Sequence, residues 1–174
     1  LNKMAILRKA NAYRKVVRAY TRRSKYKRKG FIKAIPASKI VRFHMGETTK
    51  KFPKKVKIVA TEKFQIRHNA LESCRVLVNR QLQAKLGPKG YHFYINVYPH
   101  HILRNNKMLS GAGADRMQTG MKQSFGKVEG MAAQVKKGTT IFTAEVPEEM
   151  VEFAKEKLAK TKTRISGRTT IEIV

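Results

Sequence analysis

The stretch that decides the fold is residues 70–98, ALESCRVLVNRQLQAKLGPKGYHFYINVY. Its first part repeats apolar residues at steps of three and four, which predicts a core helix of about five turns. The apolar face consists of Leu71, Cys74, Val78 and Leu82, flanked by Ala70, Leu77 and Leu86. The helix should end at Gly87-Pro88. Between residues 91 and 98 apolar and polar side chains alternate, which predicts a strand that Pro99 closes.

Two strands are predicted before this helix. Residues 40–45 alternate between apolar and polar side chains and end at Gly46, and residues 56–60 repeat the same period. The lysine-rich residues 49–55 lie between these runs, so the two strands should pair as a hairpin.

Further strands and a second helix are predicted after residue 99. Residues 131–136 and 140–146 indicate two strands joined through Lys137-Gly138. A second helix should have Pro147 at its first position, acidic residues at its positive end and lysines at its far end. The end residues are Glu148, Glu149, Lys157 and Lys160, and the buried face is Met150, Val151, Ala154 and Leu158. Ile171 and Ile173 indicate a last strand.

The order of these elements, which is strands, helix, strands, helix and strand, predicts an α+β fold. We expect a two-layer sandwich in which a mixed or antiparallel sheet carries both helices on one face. Residues 1–38 are interpreted as a basic N-terminal extension that binds RNA, and residues 39–174 as the globular domain. A long glycine-rich loop, residues 109–130, lies within that domain.

The chain carries 39 lysines and arginines against 11 acidic residues, a formal net charge of +28. A compact protein with this charge repels itself strongly, so a polyanionic partner is expected. Nucleic acid is favoured over a merely supercharged surface, because such surfaces usually mix both signs. It is favoured over a membrane because no apolar stretch is long enough to span one. Residues 1–46 hold fifteen basic residues and no acidic one, whereas five acids lie within residues 145–156, so the RNA-facing side should lie away from the latter.

Residues 1–29 combine an apolar stripe with a basic row. The stripe has helical spacing, which predicts a helix. Its residues are Ile6, Ala10, Tyr13, Val17 and Tyr20. Arg14, Arg18 and Arg22 recur every four residues on another face, and the absence of acids favours RNA binding over a solvated basic face. We expect this arm to be poorly ordered alone and ordered against rRNA.

Residues 109–130 have no sustained helical or strand period and contain five of the eleven glycines. A loop this long inside a compact domain is usually functional or disordered. Glycine lets the backbone approach phosphates, and the basic, amide and apolar side chains beside it suit contacts with phosphates and bases. The composition predicts a finger inserted into RNA. Nucleotide-binding alternatives are weak, because the GAG at 111–113 lacks a third glycine and no Gly-Lys-Ser/Thr sequence occurs.

This loop also carries a resemblance to a known family. NKMLSGAGADRMQTGM at 106–121, followed by FGK at 125–127, resembles the signature loop of a universal large-subunit ribosomal protein family. The family is called L sixteen in bacteria and L ten e in archaea and eukaryotes. Shorter matches to the archaeal and eukaryotic branch are AYTRR at 19–23, KIVRF at 39–43, NALE at 69–72, YHF at 91–93 and YPH at 98–100. The resemblance covers roughly residues 19–158 and implies an archaeal-type protein, because the eukaryotic extension is absent; the first eighteen residues and the KTKT at 160–163 depart from the pattern.

The resemblance implies a structural constituent of the large ribosomal subunit, located in the cytoplasm within the ribosome and without catalysis. It implies a position near the central protuberance, beside the groove that receives aminoacyl-tRNA, with the loop directed toward the peptidyl-transferase region. The expected partners are large-subunit rRNA, neighbouring ribosomal proteins and nearby tRNA. No membrane, small-molecule substrate, cofactor or homo-oligomer is expected. The alternative is a non-ribosomal, chromatin-like or ribosome-assembly protein that binds nucleic acid, and an enzyme acting on RNA comes third.

The candidate site residues are basic residues and residues of the loop. We assign rRNA binding to Arg14, Arg18, Arg22, Arg23, Lys25, Lys27, Arg28, Arg42, Arg67, Arg104 and Lys107. The loop facing tRNA or rRNA is represented by Gly111, Gly113, Arg116, Met117, Gln118, Gly120, Lys122, Phe125 and Lys127.

The histidines and the single cysteine suggest no further chemistry. The five histidines lack the paired spacing of metal ligands, so no metal site is expected. His100 and His101 are interpreted as contacts to the RNA backbone. Cys74 excludes an internal disulfide, agrees with a reducing compartment and is most simply a small core residue.

Overall fold

A computed structural model of the chain describes residues 9–16, 32, 34–105 and 126–174. The strands are β1 His44–Gly46, β2 Lys54–Ala60, β3 Phe64–Arg67, β4 His92–Ile95, β5 His101–Asn105, β6 Lys127–Val135, β7 Thr140–Val146 and β8 Thr169–Ile173. The α-helices are α1 His68–Leu86 and α2 Val151–Ala159, and short 3-10 turns lie at Ala10–Tyr13, Glu148–Met150 and Lys160–Thr163. None of the described helices is long and apolar enough to cross a membrane.

The described strands form two antiparallel sheets, so the predicted α+β class is confirmed in a form with two sheets instead of one. The larger sheet has the order β1-β4-β7-β2-β8, and the smaller has the order β3-β6-β5. β6 and β7 are consecutive but belong to different sheets. The turn between them contains Gly138, whose φ of 81° favours glycine. Its amide donates a hydrogen bond to the carbonyl of Ala60, 2.8 Å away, at the end of β2.

Both helices contribute to one apolar core. Helix α1 buries Leu71, Cys74, Val78 and Leu82, as predicted, and α2 buries Ala154 and Leu158. The facing side chains of the larger sheet are Val56, Ile58, Phe93 and Phe142. Burying each large side chain of this kind contributes about 1.5–3 kcal/mol, so the core is the main stabilising element.

The ends of the two helices agree with the sequence to different degrees. Helix α1 ends at Gly87 as predicted, and the Gly87 amide donates to the carbonyl of Gln83 at 3.0 Å. Pro147, in contrast, is not the first helical residue. It has an extended backbone, with φ −61° and ψ 155°, and it precedes a 3-10 turn, so α2 begins only at Val151.

The predicted hairpin between residues 40–45 and 56–60 is wrong. β1 pairs with β4, and β2 pairs with β7 and β8. The Ile40 amide donates to the nearby Ser38 hydroxyl, and the Val41 amide donates to the carboxylate of Glu72 on α1, so side chains replace a neighbouring strand. Val41 is 74% exposed, so the apolar alternation before His44 does not reflect burial.

Other strand boundaries also differ from the prediction. β4 covers only His92–Ile95 of the strand predicted over residues 91–98, although buried side chains alternate as far as Val97. β3 and β5 were not predicted, because β3 has four residues and β5 begins just beyond Pro99 with consecutive buried side chains. β6 begins at Lys127, so residues 127–130 belong to a strand and not to the predicted loop.

Residues 9–16 contain a 3-10 turn at Ala10–Tyr13 and dock on β3 instead of forming the predicted helix. The Gln65 amide donates to the carbonyl of Arg14 at 3.1 Å. The Gln65 side-chain amide donates to the carbonyls of Tyr13 and Lys15 at 3.0 and 2.5 Å. Carbonyls that a continuing helix would pair with its own amides are therefore satisfied by β3. The remainder of the helix predicted over residues 1–29 lies outside the described residues.

Candidate nucleic-acid interface

The structure places five of the predicted site residues. Arg14, Arg42, Arg67, Arg104 and Lys127 lie in its described part. The others lie outside it: Arg18, Arg22, Arg23, Lys25, Lys27, Arg28, Lys107, Gly111, Gly113, Arg116, Met117, Gln118, Gly120, Lys122 and Phe125.

Tyr13 contacts the guanidinium of Arg67 and the backbone carbonyl of Arg104, on the side of the smaller sheet where the N-terminal segment docks. The Tyr13 hydroxyl donates to the carbonyl of Arg104 at 3.3 Å or to the Glu129 carboxylate at 3.1 Å. The Arg67 guanidinium lies 5.7 Å from the centre of the Tyr13 ring, within cation–π range. Sequence spacing could not indicate this cluster, because its members are far apart in the chain.

A cleft of about 260 Å³ lies beside Tyr13. Its lining residues are Ala10, Tyr13, Gln65, Arg67, Asn69, Ala70, Ser73, Arg164 and Ser166. Two arginines face this cleft, and guanidinium groups bind phosphate through paired hydrogen bonds, so the cleft suits a phosphate of an RNA backbone. Arg164 donates to the carbonyl of Ser73 at 3.2 Å and also to the Ser73 hydroxyl. The sequence reasoning missed Arg164, because it placed the RNA-facing side away from the carboxyl-terminal part.

Arg14 already has a protein partner. Its guanidinium lies 2.6 Å from the Glu62 carboxylate, and both side chains are partly exposed. The amide of Arg168 and the guanidinium of Arg14 together hold the pKa of Glu62 below its ordinary value. The ion pair is weak in stability terms because water screens it. It nevertheless orients Arg14 at the rim of the smaller sheet.

Arg42 and Lys127 lie elsewhere. Arg42 is exposed just before β1, next to the exposed Val41. Lys127 begins β6 and pairs in register with Asn105, the last residue of β5. This pair brings the last residue of β5 and the first residue of β6 together at one end of the smaller sheet.

The predicted RNA contact of His101 is wrong. His101 is only 4% exposed, and burial, followed by the charges of His100 and Arg104, lowers its pKa to about 4. It is therefore a neutral, interior side chain at neutral pH. His100 is more accessible, and its Nδ1 lies 3.1 Å from the carbonyl of Tyr98. Within the described residues no three His, Cys, Asp or Glu side chains are grouped to hold a metal.

Cys74 is a core residue, as predicted. It is fully buried, and burial raises the pKa of its thiol to about 12. Its Sγ lies 3.9 Å from the carbonyl of Thr161. Because a thiol with this pKa holds its proton at neutral pH, Cys74 cannot serve as a nucleophile.

The fold and the basic cleft define an α+β protein with an arginine-lined surface. The family model described as Ribosomal protein L16p/L10e matches residues 20–172, and the chain belongs to this family. It is similar to large ribosomal subunit protein uL16 of Methanococcus maripaludis strain C5, with 45% identity over 91% of this chain and 89% of the relative. It is also similar to uL16 of Methanococcus aeolicus, with 44% identity over 96% and 94%. For uL16 of Staphylothermus marinus the identity is 45% over 80% of each chain. The resemblance to the archaeal branch is thereby confirmed.

Proposed function

We propose that this chain is a structural constituent of the large ribosomal subunit, which binds rRNA and neighbouring ribosomal proteins in the cytoplasm and performs no catalysis. The observation that carries the proposal is the similarity to proteins named large ribosomal subunit protein uL16 over nearly the whole chain. The net charge of +28 supports it independently, because rRNA supplies the polyanion that such a charge requires.

The proposed rRNA contacts are divided between two parts of the chain. Residues 1–38 act as a basic extension that neutralises phosphates, and residues 39–174 act as the globular domain. On that domain Arg42, Arg67 and Arg104 are the proposed contacts. The cleft that Arg67 lines supports this division, because a docked N-terminal segment and the domain surface meet there.

We expect a tagged copy of the chain, expressed in an archaeal host, to sediment with 50S subunits at moderate salt. The physical reason is that many phosphate contacts, each releasing counterions, keep the complex together. Sucrose-gradient fractions probed for the tag provide the measurement. A tagged chain that stays at the top of the gradient while 50S particles sediment without it would indicate a non-ribosomal nucleic-acid-binding or assembly protein.

The glycine-rich loop, which precedes β6 and covers residues 109–126, is proposed to lie beside bound tRNA near the peptidyl-transferase region. Arg116, Lys122 and Lys127 would neutralise phosphates, and the glycines would let the backbone fit a narrow RNA channel. Support comes from the ends of the segment. Asn105 and Lys127 are paired residues of adjacent strands, so both ends of the segment lie at one end of the smaller sheet.

Replacing residues 110–124 by a tight turn is expected to leave assembly intact but to abolish tRNA accommodation or peptide transfer. The domain should still fold, because β5 and β6 pair up to Asn105 and Lys127 and a short turn can close antiparallel strands. Assembly is measured on gradients, and peptide transfer with purified subunits. As a control, the double variant Arg116→Gln, Lys122→Gln keeps the loop at full length and removes two of its charges. It separates the effect of charge from the effect of loop length. If the shortened variant assembles and translates at the normal rate, the loop only braces rRNA.

A further inference from the structure

One face of the larger sheet carries no helix of the described chain. Val56, Ile58 and Phe93 point into the helical core. Because successive side chains of a strand point to opposite faces, their neighbours Lys57 and His92 lie on the other face, which we call the open face. Strand register places one polar row across it: His44, Tyr94, Thr143, Lys57 and Glu172.

Three rings on this face form a cluster, which consists of His44, His92 and Tyr94. The ring centre of His44 lies 5.5 Å from the ring centres of both His92 and Tyr94, with interplanar angles of 16° and 19°. The rings of His92 and Tyr94 are 4.9 Å apart. β1 is the edge strand of the larger sheet, and His44 is exposed, so His44 is the outermost ring of the cluster.

A chain of polar contacts holds the ring cluster in place. Lys55 Nζ lies 2.7 Å from Glu145 Oε1, and the other oxygen of Glu145 lies 3.3 Å from His92 Nδ1. His92 Nε2 in turn lies 3.3 Å from His44 Nδ1. Burial raises the pKa of Glu145, but the hydrogen bonds from Lys55 and His92 outweigh it and hold the pKa below its ordinary value. Glu145 is therefore an acceptor, and His92 donates from Nδ1 to it.

This assignment determines what His44 presents to a ligand. His44 Nδ1 is occupied by its contact with His92 Nε2, so the ring nitrogen of His44 that remains for a ligand is Nε2. His44 thus offers a ring face for stacking together with a ring nitrogen that can hydrogen-bond to a base or a hydroxyl group.

We propose that an unpaired base of RNA stacks on the ring cluster, while Lys55 and Lys57 contact the flanking phosphates. Sheets that carry exposed rings bind single-stranded RNA in this way, and basic groups beside the rings follow the backbone. Lys55 remains 45% exposed despite its ion pair, so it can reach a phosphate. The side chains around the cluster, Thr143, Glu145 and Asn96, are polar, which favours a nucleotide over the apolar centre of a protein interface. The proposal rests on the proposed function only in naming rRNA as the source of the base.

The test compares large subunits that contain the wild-type chain, His44→Ala or His44→Phe. Acylation of 2′-hydroxyls reports how freely each rRNA nucleotide moves. We expect His44→Ala to raise the reactivity of at least one unpaired nucleotide by about fivefold or more, as loss of one base–ring stacking contact predicts. His44→Phe, which keeps a ring, should stay near the wild type. Tyr98→Ala removes an exposed ring that stacks on Phe43 outside the cluster, and it serves as the matched control.

The outcomes distinguish this proposal from the ribosomal assignment. If the wild-type chain does not enter the subunit, the proposed function fails. If all variants enter the subunit and no nucleotide responds to His44→Ala, the proposed stacking of a base on the ring cluster is overturned. Mass spectrometry of the gradient fraction shows whether His44→Ala subunits lose a neighbouring protein. If they do, and no rRNA nucleotide changes its reactivity, the proposal is also overturned, because a protein then occupies the ring cluster.

Discussion

Replacing Gly46 by alanine is expected to lower the free energy of unfolding by about 3 kcal/mol or more. Gly46 has a φ of +82°, which costs an L side chain roughly 1–2 kcal/mol. An added Cβ would also overlap the carbonyl oxygen of Tyr91 and lie 3.0 Å from its carbonyl carbon. That carbonyl accepts the Glu47 amide at 2.8 Å, so relieving the overlap breaks a hydrogen bond at the end of β1. Urea unfolding of the full chain provides the measurement.

Gly138→Ala is the matched control for this prediction. Gly138 has nearly the same backbone conformation, with a φ of +81°, but an added Cβ meets nothing within 4 Å. The free energy of unfolding of Gly138→Ala should therefore fall only by the cost of backbone strain, roughly 1–2 kcal/mol. Equal losses for the two variants would contradict the argument, because the approach to Tyr91 would then have no energetic consequence.

Neutralising six basic residues of the N-terminal extension is expected to flatten the dependence of log affinity for rRNA on log salt by about five units. Each phosphate contact contributes about 0.9 to this slope through counterion release. The residues are Arg18, Arg22, Arg23, Lys25, Lys27 and Arg28, each replaced by glutamine. They lie outside the described residues. Arg14 is retained, because its ion pair with Glu62 helps to dock the segment on the domain.

The measurement is a salt titration of binding to large-subunit rRNA, with a charge-matched control. The control replaces six lysines in the part of the chain where acidic residues are frequent: Lys136, Lys137, Lys155, Lys157, Lys160 and Lys162. Its slope should remain close to that of the wild type. A slope unchanged by the N-terminal substitutions, or changed equally by both sets, would refute the assignment of residues 1–38 to RNA binding.

Local periodicity was enough to predict the helices and several strands. The three- and four-residue steps from Leu71 to Leu82 identify α1, its buried face and the interior position of Cys74. A helix of this length shows its apolar face in the sequence because its hydrogen bonds are local and its side chains repeat every 3.6 residues. The alternation at Phe93 and Ile95 predicted β4 because successive side chains of a strand point to opposite faces.

Strand pairing could not be predicted in this way. Residues 40–45 and 56–60 are close in sequence and share a period, yet β2 lies between β7 and β8. A period of two identifies which side chains share a face, but it does not identify the partner strand. The polar face of residues 91–98 was visible in the sequence, whereas its contact with His44 depends on β1 pairing with β4.

The sequence by itself determined the α+β class, the core face of α1, the strongly basic character and the family of the chain. These properties depend on composition, local period and contiguous motifs. Only the tertiary structure decided that the strands divide into two sheets, that Tyr13 contacts both Arg67 and the carbonyl of Arg104, and that His101 is interior. It also decided that the rings of His44, His92 and Tyr94 form one cluster. Each of these arrangements joins residues separated by tens of positions, and their contacts form only when the core brings distant strands into register.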